Sequence, residues 1–289
     1  MDPLGPDTFA PTSFPGKKVE IPGFALLFFL LTFGVTWACW IPIVILPIPA
    51  HTVSRAVLLF IGILAPALMA IALTAWMEGD KALRTLLAGM FRWEVGGRWY
   101  VFAVGYTLSI KLLVTLMYRL ATGAWPRFSN VPLYIIPFAI LISTPVQSGE
   151  EIGWRGYALP RLAACLGLGW ASIILGIIWA CWHLPLFFLP ESDTYHQSFI
   201  VYITQVTAIS VAMAWLWERT GGSLLLTMLM HAAINNTQDI VPAAVPGGTK
   251  TFGFSASTLS WLATAVLWMC AAYFLVRMRA VNATRNPAV

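Results

Sequence analysis

Apolar runs near twenty residues long, parted by short polar breaks, organise this chain. A membrane crossing takes about 20 residues at 1.5 Å each. The pattern predicts eight of them: Gly23–Leu46, Ser54–Trp76, Trp99–Leu120, Val131–Pro160, Gly169–Phe188, Phe199–Trp217, Ser223–Val241 and Ser257–Val276. Prolines mark several ends: Pro42, Pro47 and Pro49 at the first, Pro190 after the fifth, Pro242 and Pro246 after the seventh. Pro66 and Pro145 lie inside runs, where each predicts a kink. Trp76, Trp99, Trp217 and Trp261 stand near run ends, as interfacial aromatics do. The expected fold class is all-α, a polytopic bundle of eight transmembrane helices without internal repeat or separate soluble domain.

The polar remainder adds organisation. Residues 1–22, rich in Pro, Gly and Thr, read as a disordered cytoplasmic tail. The apolar run after them is too long for a signal peptide's core and lacks a cleavage site. Three spans and a polar segment at 77–98 occupy 23–130. That segment carries its charges around an apolar Leu83–Phe91 patch, the pattern of an amphipathic helix on the inner membrane surface. Residues 242–289 hold the last span and a second cytoplasmic tail. With the N-terminus inside, twelve Lys and Arg fall on the inner side and four on the outer, with Lys111 left within a span. This asymmetry predicts that both termini are cytoplasmic, and the expected location is the plasma membrane, as a multi-pass protein.

Composition changes the picture little. The chain is 59% hydrophobic and 10% charged with a net charge of +5, and its mean hydropathy is +0.78. Loop charge accounts for the basic balance, and no basic stripe interleaved with aromatics points to nucleic acid. Cys39, Cys165, Cys181 and Cys270 lack any metal-like or redox spacing and are expected as small core residues. His51 and His196, near span ends, read as interfacial.

In so apolar a chain the stretch Ser148–Tyr157 stands out, with Glu150, Glu151 and Arg155 together. An acidic side chain at mid-membrane costs about 2.5–3.5 kcal/mol on an insertion scale. Neighbours on a helix point about 100° apart, so the two carboxylates serve different partners. The i,i+4 spacing pairs Glu151 with Arg155 and leaves Glu150 the freer group, suited to general base work. The blander reading is a surface salt bridge in a loop. His183, among Trp179, Trp182 and Leu184, is either a hydrogen-bonded core residue or a functional one. His231 and Asn235 share a helix face at i and i+4. They are able either to meet a developing oxyanion or simply to bond between helices. Glu150, His183 and His231 are ligand types for zinc, but no HExxH occurs. The expectation is no cofactor, with those three as ligands if a metal is present. Convergence at one depth requires the fourth run to continue helically past Ser148 to Pro160, so that Glu150 stands near mid-membrane.

Taken together, Glu150-Glu151-x-x-x-Arg155, His183 in Trp-His-Leu-Pro-Leu-Phe-Phe, and His231-x-x-x-Asn235 resemble the motifs of the CAAX prenyl protease type II and bacteriocin-processing family, also called lysostaphin-resistance-protein-A-like or Abi intramembrane proteases. The resemblance covers residues 131–241, the expected protease core. That family often has Phe four residues before the second-motif His, where this chain has Trp179. The resemblance implies an eight-helix intramembrane endopeptidase with a cavity open towards the cytoplasm. Glu150 and His183 would activate water, His231 and Asn235 would stabilise the oxyanion, and Glu151 and Arg155 would support them. The expected substrate is a membrane-associated polypeptide, lipidated or bacteriocin-like, cut near its C-terminus, with the bilayer as the other partner and no nucleic acid. The alternatives are a catalytically silent scaffold or bacteriocin-immunity protein of the same fold, and a proton-coupled transporter. The transporter reading is disfavoured by the lack of repeated halves.

Overall fold

The computed structural model of the chain describes residues 21–126, 128, 132–237 and 250–285. Those residues form helices and connecting turns, with no strand among them. In chain order the helices are α1 (Ile21–Ile45), α2 (Val53–Met77), α3 (Asp80–Ala88), α4 (Gly97–Thr122), α5 (Ile135–Ser143), the single turn α6 (Ser148–Glu151), α7 (Leu159–Trp182), α8 (Phe199–Arg219), α9 (Leu224–Thr237) and α10 (Thr258–Arg285). A 3-10 turn at Thr144–Gln147 and a π-helical stretch at Ile152–Ala158 link α5, α6 and α7 into one path.

Among the described residues six segments are long and apolar enough to cross a membrane, which makes this a multi-pass membrane protein. One of them, Ile135–Phe188, has 54 residues. At 1.5 Å per residue that far exceeds a hydrocarbon core of about 30 Å, so it holds the expected fourth and fifth spans together. The break between them is at Gly167, whose φ of 74° and ψ of 156° are non-helical, a backbone state that glycine reaches without a Cβ penalty. The expected end at Pro160 is corrected by this geometry. Pro160 lies in the first turn of α7, where its missing N–H costs little. The helical path does continue through Ser148, and Glu150 falls near the midpoint between Ile135 and Gly167. The seventh expected span is described only as far as Thr237. Most of the expected N-terminal tail and the last residues of the C-terminal tail lie outside the described residues, although α1 already begins at Ile21.

Pro66 shows how interhelical bonds repair local defects. It sits within α2 and has no N–H, so the carbonyl of Gly62 loses its helical partner. The Thr36 hydroxyl of α1 donates to that carbonyl at 3.0 Å. Trp182 Nε1 at the end of α7 donates in turn to Thr36 Oγ1 at 2.8 Å. Trp37 Nε1 donates to the Trp182 carbonyl at 3.0 Å, so α1 grips the residue preceding His183 twice. Helices α7 and α8 approach closely at Gly176, where an added Cβ would stand 2.7 Å from the Thr207 Cα. Ser210 Oγ crosses that interface to the Ser172 carbonyl at 2.9 Å, the small-and-polar packing of helices in lipid.

The segment expected as amphipathic contains α3, with Lys81, Arg84 and Thr85 exposed and Leu83, Leu86 and Leu87 half-buried. Of the expected interfacial tryptophans, Trp76 and Trp261 are exposed, whereas Trp99 packs edge-on against Trp215 at 5.2 Å. Cys165 is exposed and the other three thiols are half-buried, which corrects the expectation of core cysteines. Arg55 and Arg155, both counted as loop charges, are buried. Setting them aside does not reverse the charge asymmetry. Arg55 reaches the carbonyls of Ile43 and Ile48 and pairs with Glu191 at 2.8 Å. That links the α1–α2 turn to the segment after His183. Outside the spans, Glu191 is held below the usual carboxylate range, by its own backbone N–H first and by Arg55.

Candidate active site

Glu150 and Glu151 close the short turn α6 and are both buried. Each meets a partner one turn later. Trp154 Nε1 donates to Glu150 Oε2 at 3.3 Å, and Arg155 Nη1 donates to Glu151 Oε1 at 2.8 Å. The angular offset between neighbours then sends the two carboxylates to different helices. Glu150 faces α7, where Trp179 Nε1 donates to its Oε2 at 2.7 Å. Glu151 faces α9, where His231 Nδ1 donates to its Oε1 at 2.9 Å. Arg155 completes this second group by donating from Nη2 to Met213 Sδ of α8 at 3.1 Å.

Trp179 joins the groups. Its face lies 4.3 Å from the Arg155 guanidinium carbon, its ring meets His231 edge-to-face at 5.1 Å, and its carbonyl is 2.9 Å from His183 Nδ1. A carbonyl only accepts, so Nδ1 of His183 carries a proton, and in the neutral ring Nε2 is left with a lone pair. Trp182 packs on the other side of His183 at 4.6 Å and Tyr202 at 5.8 Å. Both indoles that reach Glu150 meet the same oxygen, and Oε1 takes no hydrogen bond among the described residues.

The sequence-predicted residues are therefore not equally placed. Glu150, Glu151, Arg155, His183 and His231 are tied together through Trp179, and Glu151 holds His231 directly. Asn235 lies one turn beyond His231 and is exposed, and its side chain makes no hydrogen bond to another described residue. Its neighbour Asn236 is the one that bonds, to Ser143 Oγ and the Ala232 carbonyl, both at 2.8 Å. No group of three or more His, Cys, Asp or Glu gathers as metal ligands among the described residues.

Three glycines that motif reading passed over position the cluster. Gly149, Gly153 and Gly156 fall at i, i+4 and i+7, on one helix face. A Cβ on Gly153 would stand 2.6 Å from Pro66 Cβ and 2.7 Å from the Pro66 carbonyl carbon and oxygen, so α2 leaves no room for it. Small residues at that spacing were the available signal. Gly153→Ala is expected to lower stability by about 1–3 kcal/mol, the usual cost of overpacking, and to reduce activity by displacing Glu150. An unfolding midpoint in mixed micelles equal to that of the unmodified protein would contradict this.

A buried carboxylate–imidazole cluster between helices that cross the bilayer holds groups that a membrane-embedded protease could use, and comparison with known proteins points to that class. Residues 130–237 match the family model described as type II CAAX prenyl endopeptidase Rce1-like. Over 236 residues the chain is 24% identical to CAAX prenyl protease 2 of Methanococcus maripaludis, an alignment that covers 78% of this chain and 86% of that protein. The family resemblance carried by the three motifs is thus borne out, since the segment that bears them is the one that matches the Rce1-like model.

Proposed function

We propose that this protein hydrolyses a peptide bond near the C-terminus of a membrane-associated polypeptide, with Glu150 activating the water. The observation that carries the reading is the asymmetric use of the Glu150 carboxylate. Oε2 is held by two indole N–H groups while Oε1 takes no protein donor among the described residues. Oε1 removes a proton from water as hydroxide adds to the scissile carbonyl carbon. His183 Nε2 accepts a hydrogen bond from the hydrogen that stays on the attacking oxygen and fixes the nucleophile's direction. His231 and Asn235 donate to the oxyanion that forms. For His231 this requires both ring nitrogens protonated, and the Glu151 carboxylate at Nδ1 supplies the countercharge. When the C–N bond breaks, Glu150 returns its proton to the departing amine.

The name of the archaeal relative directs the choice of substrate towards a prenylated C-terminus, and a lipid chain would hold such a peptide at the bilayer. On this reading the protein spans the plasma membrane with both termini cytoplasmic. The test is cleavage in proteoliposomes of a C-terminally prenylated peptide, with products read by mass spectrometry in 18O-labelled water. One 18O in the new carboxyl group and a loss of turnover of about 10²–10³-fold in His231→Ala are expected. Absence of product from this peptide and from a panel of unlipidated membrane peptides would favour the silent-scaffold alternative.

A further inference from the structure

We propose that Trp179 is a positioning residue for Glu150, acting through its indole N–H; this rests on the reading of Glu150 as the general base. Three of the contacts made by Trp179 do not require tryptophan. Any residue has the carbonyl that meets His183 Nδ1, and any aromatic ring offers a face to Arg155 and packs against His231. Only the indole N–H reaches Glu150 Oε2, at 2.7 Å, the shorter of that oxygen's two hydrogen bonds.

The arrangement has a consequence for the carboxylate. A glutamate has three side-chain torsions, and burial alone does not choose among their rotamers. Two donors converging on one oxygen from α7 and from the helical turn after Glu150 fix the carboxylate plane and decide which oxygen faces the reaction. Trp154 cannot do this alone, because a 3.3 Å bond from one turn away on the same path leaves the carboxylate free to pivot about that contact. The tether to α7 also couples the Glu150 carboxylate to the residue whose carbonyl orients His183. One residue, through its indole and its carbonyl, therefore sets both groups that hold the water.

Trp179→Phe deletes the N–H and keeps the ring. In proteoliposomes it is expected to lower kcat about 10- to 100-fold, the range for losing a hydrogen bond to a charged group, with KM changed less than about twofold. A packing role alone would move the unfolding midpoint rather than split kcat from KM. In a Glu150→Gln background the same substitution should lower the residual rate less than about twofold. A second measurement does not depend on the variant folding. In 15N-indole spectra of the full-length protein, Glu150→Gln should move two tryptophan N–H resonances upfield. Full kcat in Trp179→Phe, an equal fold-loss in both backgrounds, or no moved indole resonance overturns the proposal. Full turnover in Glu150→Gln itself would overturn the general-base reading instead, which separates the two failures.

Discussion

Glu150→Gln is expected to lower kcat by about 10²–10⁴-fold, the range for removing a positioned general base, and to leave the fold intact. The amide is nearly isosteric with the carboxylate, and its oxygen can still accept from Trp179 and Trp154, so the contacts that seat the side chain survive. What is lost is the ability to take a proton from water. KM should change little, because no substrate contact is removed and binding common to ground and transition states is untouched. The measurement is steady-state cleavage in proteoliposomes beside an unfolding midpoint. A loss of rate accompanied by a comparable loss of stability would mean that the residue serves the fold instead.

Arg155→Ala should cost the most stability of any single change at the site. The Arg155 and Glu151 side chains are both fully buried and pair at 2.8 Å. The same i,i+4 pair on a water-exposed helix is worth about 0.3–0.5 kcal/mol. Removing one member of a buried pair typically costs about 3–5 kcal/mol, because the surviving charge has no water to turn to. Glu151 would retain His231 at Oε1, and its Oε2 already has no hydrogen-bond partner among the described residues. The change also removes the cation packed on Trp179, so activity should fall with stability. Arg155→Lys is not expected to rescue it fully, since an ammonium lacks the planar fork that meets Glu151 and Met213 together. Equilibrium unfolding in mixed micelles checks the magnitude. The double variant Arg155→Ala with Glu151→Gln should be less destabilised than Arg155→Ala alone. Should the two unfold alike, an orphaned carboxylate is not the cause.

How much of this was legible beforehand differs from residue to residue. Local spacing was enough to pair Glu151 with Arg155 and to send Glu150 elsewhere, since both follow from helical geometry. Pro66 was recognisable as a defect in its helix, but not the hydroxyl of Thr36 that repairs it from another helix. His231 and Asn235 looked equivalent because they share a helix face. Yet His231 is buried against Glu151, whereas Asn235 is exposed and Asn236 makes the interhelical bond. Trp179 registered only as an aromatic standing where relatives carry another, although it touches all three motifs.

From its residues alone the chain determined that it crosses a membrane repeatedly as helices, and where its costly polar groups lie along it. Apolar length and the expense of burying charge are properties of a segment, independent of what packs beside it. The rotation of each helix was decided only by the tertiary structure. Lipid is as apolar as a protein core, so Leu30 and Phe138, 62% and 66% exposed, read no differently in sequence from the buried Phe28 and Leu175. Without that contrast, hydrophobicity cannot say which face turns inward. The choice falls to small residues such as Gly153 and to polar atoms that must find partners in other helices, and those partners exist only once the bundle has assembled.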